Sequence, residues 1–259
     1  MSESNEISHL YKYRSLDGAC LHWVLDTLAN NNLRFSSVKE FNDPFDCLPI
    51  YSFDAPPDLL KKYAKGVVSR RSQGASRNER RGMIRVATDP SRTSEWVARV
   101  SAEMRENIES KAGIYCLSEV PDNILMWGHY ADSHRCVALR FRATASTPFF
   151  GRAQRVVYRE SRPVVNPIRQ SYDEQTEAAL LSKAQDWAYE KEWRIIDHDN
   201  GPGVQRFAPE LLDGVILGAR ISSESEERIR AAVSQRSPAT QLFKARLDGA
   251  AFRVLIKPC

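Results

Sequence analysis

Residues 113–141 read GIYCLSEVPDNILMWGHYADSHRCVALRF, and this stretch decides the fold reading. GIYCLSE (113–119) has the aromatic and β-branched content of a strand. MWGHYA (126–131) reads as a short helix. CVALRF (136–141) alternates Val137, Leu139 and Phe141 inward with Arg140 and Arg142 outward, the period of a half-buried strand. Strand signals continue towards the C-terminus. They cover RVVY (155–158), EKEWRII (190–196), DGVILGA (213–219) and segments near 241–247 and 251–257, with helices expected near 172–187 and 222–234.

Towards the N-terminus the pattern begins strand, helix, strand. LYKYRS (10–15) is extended, and residues 17–31 place Leu21, Val24, Leu25 and Leu28 at helical spacing, with Ser15 or Asp17 as N-cap. LRFSS (33–37) is a second strand and FNDPFD (41–46) a turn, since the residue before proline is biased away from helix. Residues 57–111 read as polar helices. The last of them, 94–111, carries the stripe Val97, Val100, Met104 and Ile108. Helices thus gather in the first half and strands in the second, which points to an α+β fold rather than alternating βαβ units. The expectation is a single domain over 1–259, with a basic helical insertion at about 54–111.

Composition narrows the function classes. The 259 residues are 42% hydrophobic and 27% charged, excluding collagen-like and low-complexity classes. No apolar run approaches the roughly 18 residues of a membrane span. MSESNEISHLYKYR lacks an apolar leader region, so a cytoplasmic location and no membrane partner are expected. Five cysteines, with no CxxC pair, argue against a disulfide framework or a structural zinc site. The net charge of +4 hides an asymmetry: residues 61–85 hold nine Lys or Arg against the single acid Glu79. Arg70, Arg71, Arg77, Arg80, Arg81 and Arg85 are the nucleic-acid contacts this segment would offer.

Phosphate-binding, nucleophile-elbow and zincin motifs are absent, and no metal cluster is expected from the scattered His and Cys. Three polar groupings stand out. The first is YKYRS, with Lys12, Tyr13 and Arg14. The second runs from YCLSE to MWGHYADSH, with Tyr115, Ser118, Trp127, His129 and Tyr130. The third is WAYEKEWRII, where strand alternation puts Glu190, Glu192 and Arg194 on one face. Two neighbouring carboxylates repel unless a cation or a function answers them. Arg194 in a solvated salt-bridged strand is the structural alternative. Likewise Arg14 has Asp43 and Asp46 as possible partners, Ser118 can cap the next turn, and Trp127 and Trp193 suit a core.

In their order, LYKYRS, the FSS-to-FNDPFD segment, GIYCLSE, MWGHYADSH, WAYEKEWR and GVILGARIS resemble the bacterial domain-of-unknown-function family 2971. One departure is Cys136, where that pattern suggests glycine. More distantly, the opening strand, helix, strand and turn resemble ADP-ribosyltransferases of the class that uses Arg, Ser and a Glu-x-Glu pair. That resemblance implies a split antiparallel β core with flanking helices and NAD as substrate. It assigns Glu192 to the ribosyl cation, Glu190 to the acceptor nucleophile, Ser118 to holding Glu192, and Arg14 to the NAD diphosphate or ribose. Lys12, Tyr13, Tyr115, Trp127, His129 and Tyr130 complete the implied NAD site, and the acceptor is a macromolecule. Two alternatives remain from the residues themselves. One is a binding module for nucleic acid or a protein partner through 61–85. The other is a metal-dependent nuclease or hydrolase built on Asp43, Asp46, Glu190 and Glu192.

Overall fold

The computed structural model describes residues 7–72, 74–89 and 91–259. The first six residues of the segment read for a leader, and Gln73 and Pro90 in the basic helical stretch, lie outside the described residues. The chain divides into two compact units: 1–40 with 111–158 and 185–259, and 41–110 with 159–184.

In the first unit, β1 is His9–Arg14, α1 Ala19–Asn30 and β2 Asn32–Ser37. In the second, β3 (Ile50–Tyr51) precedes three helices, α2 (Pro57–Arg71), α3 (Arg77–Thr88) and α4 (Thr93–Lys111). The chain continues through β4 (Gly113–Ser118), α5 (Ile124–Tyr130), β5 (Val137–Arg142), β6 (Gln154–Arg155) and β7 (Val157–Arg159). Then come β8 (Val164–Val165), α6 (Tyr172–Leu180), β9 (Ser182–Ala184), β10 (Glu192–Asp197) and β11 (Gly203–Arg206). β12 (Leu212–Leu217), α7 (Ser223–Ser234), β13 (Gln241–Leu247) and β14 (Val254–Pro258) end it.

The first unit is built on a sheet in the order β11-β2-β4-β1-β5-β12-β13-β14, with β10 added to β4 and β6 to β10. Its pairings are antiparallel apart from β12 with β13. The α+β class read from the sequence therefore holds, with a mostly antiparallel sheet. Val137, Leu139 and Phe141 are buried as alternation requires. Val24 and Leu28 of α1 join their core, with Leu21 and Leu25 partly buried against it. The cap of α1 is different from the one expected. Gly18 occupies the N-cap with φ 48° and no side-chain bond, while Ser15 and Asp17 bond each other. Glycine alone takes that backbone at little cost.

β10 lines one edge of β4 along its whole length. β2 and β1 must then share the other edge. β2 pairs at Gly113 and Ile114, and β1 pairs at Ser118 through Tyr11. Between them the edge at Tyr115–Leu117 has no strand partner in the register. The Lys12 Nζ fills the gap, donating to the Cys116 carbonyl at 2.7 Å, as a backbone acceptor shut off from water requires.

The second unit has its own small core of Phe53, Ala64, Ala87, Trp96 and Val100. Val97 and Met104 of the expected α4 stripe pack against it. The ring of Trp96 meets Phe53 edge-on at 5.2 Å between centroids. α3 starts on a capping box, Ser76 with Glu79. The helix expected near 172–187 is shorter. It runs from a second capping box at Ser171 to Leu180, after which Ser182–Ala184 is extended and residues 185–190 form a 3-10 turn.

Candidate functional site

Along β1, Leu10, Lys12 and Arg14 share one face and Tyr11 and Tyr13 the other. Arg14 lies beside the Tyr115 hydroxyl, and the Lys12 ammonium stands 5.0 Å from the Tyr115 ring centroid. Burial, reinforced by the charge of Arg14, lowers the Lys12 pKa to about 8 against the partial help of Cys116, Glu192 and Glu190. Tyr115 is pushed up to about 12 by burial, with Arg14 pulling the other way. Among the described residues no carboxylate forms an ion pair with Lys12 or Arg14. Asp46, one partner the sequence offered Arg14, is instead buried against Lys183 at 3.6 Å. Asp43 accepts the Phe45 N–H.

The carboxylates are arranged differently from the sequence reading. The strand begins at Glu192, not at residue 190. Glu190 ends the 3-10 turn, and Lys191 has φ 43°. That left-handed residue turns the chain between the two acids, so they do not project side by side from a strand. The Glu190 carboxylate accepts the Tyr130 hydroxyl at 2.5 Å. Its carbonyl accepts the Ser118 hydroxyl at 2.6 Å. Ser118 therefore fixes the turn before Glu192 rather than the Glu192 carboxylate.

Arg194 holds that carboxylate with two parallel bonds, Nε to Oε1 at 2.8 Å and Nη2 to Oε2 at 3.0 Å. The pair is buried, with Arg194 at 0% and Glu192 at 4% exposure, so it is not a solvated strand face. Burial and then the charge of Glu192 push the neighbouring Cys116 thiol up to about 12. The Tyr158 hydroxyl accepts the Glu192 N–H at 2.7 Å.

The registers place Tyr11 and Glu192 each opposite Ser118. By alternation, Ser118 and Glu192 lie with Tyr11 on one face, and Lys12 and Arg14 lie with Tyr115 on the other. The Arg14, Ser118 and Glu192 of the expected site are thus divided between two faces of the sheet. Lys12 still feels both Glu190 and Glu192 electrostatically.

Trp127 and Tyr13 serve packing. Trp127 is fully buried, donates to the Pro121 carbonyl at 2.8 Å and meets Tyr13 edge-on at 5.2 Å. Tyr13 donates to the Val120 carbonyl. His129 lies 6.2 Å from Tyr189 between ring centroids. Sequence reasoning missed Tyr158 and Asn123. Asn123 caps α5 through the Leu125 and Met126 N–H groups, a signal present as an Asn ahead of ILMW. Although Cys136 stands where the family pattern suggests glycine, the backbone does come close there, with the glycine on the other partner. A Cβ on Gly218 would come within 2.7 Å of the Cys136 carbonyl.

Among the described residues no three His, Cys, Asp or Glu side chains gather as metal ligands. No described helix is long and apolar enough to cross a membrane. Residues 126–195 match the model of a family described as protein of unknown function (DUF2971). The matched span contains MWGHYADSH and WAYEKEWR, two of the blocks on which that resemblance was read. No curated protein and no solved structure matches the chain.

Proposed function

We propose that the chain binds NAD through Lys12, Arg14 and Tyr115; an ADP-ribosyltransferase-like step at Glu192 is what the distant resemblance adds to that binding. The observation that carries this reading is the stretch of the β4 edge between β1 and β2 that no strand covers. It holds two half-buried cations beside an aromatic ring, with no described carboxylate to neutralise them. Two crowded cations cost stability in the empty protein, and a diphosphate offsets that cost on binding. The distant resemblance supplies the identity of the nucleotide.

In this reading the bond between nicotinamide and ribose breaks with its electron pair leaving on nicotinamide. Positive charge then develops on the ribosyl carbon, and a carboxylate near it lowers the barrier. Glu192, paired with Arg194, is the carboxylate that the resemblance assigns to this role. Glu190, oriented by Tyr130, takes the proton of an acceptor nucleophile as that nucleophile bonds to the ribosyl carbon left by nicotinamide. The acceptor is a macromolecule.

Nicotinamide release from NAD tests the reading. Glu192→Asp keeps the charge beside Arg194 but withdraws it by one methylene, and should slow release about 100-fold while NAD still binds. Unchanged release in a folded Glu192→Asp variant removes the transferase chemistry. Loss of NAD binding in Arg14→Gln, with folding intact, supports the binding half separately.

A further inference from the structure

α2 and α3 pack as a helical hairpin in the second unit, with the end of α2 and the start of α3 flanking residues 72–76. Eight of the nine cations in 61–85 are exposed and Arg80 is half-buried. Described residues at the ends of the two helices are tied down by hydrogen bonds. Ser72 donates through its backbone to Val68 and through its hydroxyl to Met83 Sδ, and Arg80 Nε donates to the Ala75 carbonyl. Neighbouring acids already have partners. Glu79 is held in the Ser76 capping box, and Glu103 pairs with Arg71. Arg70, Arg77, Arg81 and Arg85 have no ion pair among the described residues.

Arg77 and Arg80 stand in the first turn of α3. A cation there opposes the helix dipole, whereas an anion is favoured. Arg77, Arg81 and Arg85 recur every four residues, about 6 Å apart along the axis, a spacing on the scale of successive phosphates in a nucleic-acid strand. Exposed large apolar residues on the hairpin are confined to Leu59 and Met83, too few for an amphipathic helix in a membrane surface or for the buried anchors of a peptide interface.

We infer that the α2–α3 hairpin is a contact surface for the phosphate backbone of nucleic acid, read without base specificity. This inference is independent of the NAD reading. The probes are fluorescein-labelled single-stranded RNA and DNA 20-mers, followed by anisotropy from 50 to 200 mM salt. The full chain should bind at least one of them, with affinity falling steeply as salt rises.

Replacing Arg70, Arg77 and Arg81 by Glu should weaken binding at least tenfold. It should also flatten the log–log salt slope by about 2, at about 0.7 per phosphate contact on a single strand. A charge-matched control, Glu at Arg206, Arg228 and Arg246 in the first unit, should keep the wild-type slope, with circular dichroism showing both variants folded. Equal loss in the control, no salt-dependent binding by the wild type, or equal competition by polyglutamate would each overturn the inference.

Discussion

Two arginines flank β4 and meet opposite fates. On the β10 side, Arg194 is sealed against Glu192 by two charge-assisted bonds at 0% exposure. On the β1 side, Arg14 and Lys12 share Tyr115 and have no described carboxylate partner. The first region is closed, because its charge is cancelled in place and its polar atoms are used. The second is open, because its charge is answered only by a carbonyl, a ring and a distant field. Closed charge is a feature of stability, whereas open charge in a half-buried setting is a feature of binding.

The largest expected effect breaks the closed side. Glu192→Gln leaves Arg194 buried beside a neutral amide and should cost about 3–5 kcal/mol in denaturant unfolding. Replacing the pair together, Glu192→Leu with Arg194→Met, should recover most of that loss. A single substitution costing under about 1 kcal/mol would mean that the pair behaves like a solvated one. A smaller loss is expected at the turn that feeds this strand. Ser118→Ala removes the donor to the Glu190 carbonyl and should cost about 1–3 kcal/mol.

The open side should show itself in pH dependence. Because the folded Lys12 has a pKa near 8, below its ordinary 10.5, the unfolded chain binds more protons between these values. Stability should therefore rise with pH from about 8 towards 10.5, by linkage. Lys12→Met should remove that rise. A rise of the same size in the variant would place its origin at another group.

Much of the fold was legible in the sequence, for reasons seen in particular residues. Val137, Leu139 and Phe141, the α1 stripe and Val100 of α4 all had clean periodicity, and packing followed it. The EKEWRII stretch misled, because its alternation runs through Lys191, a residue whose positive φ no periodicity announces. The helix drawn through 187 failed at Leu180 for a related reason: helical propensity continues past the point where the chain becomes extended. At the site, residue types were visible but their sides of the sheet were not. Face assignment depends on register, and the Tyr11–Ser118 pairing is a long-range contact.

The most direct test of the open side is calorimetric titration of NAD into the wild-type chain at pH 7 and at pH 9.5. Saturable one-to-one binding at pH 7 is expected, weakened by up to about tenfold for each pH unit above 8 as Lys12 loses its proton, and lost in Arg14→Gln. Binding that is equal at the two pH values, or unchanged in Arg14→Gln, would contradict the assignment of Lys12 and Arg14 on β1 to the nucleotide site.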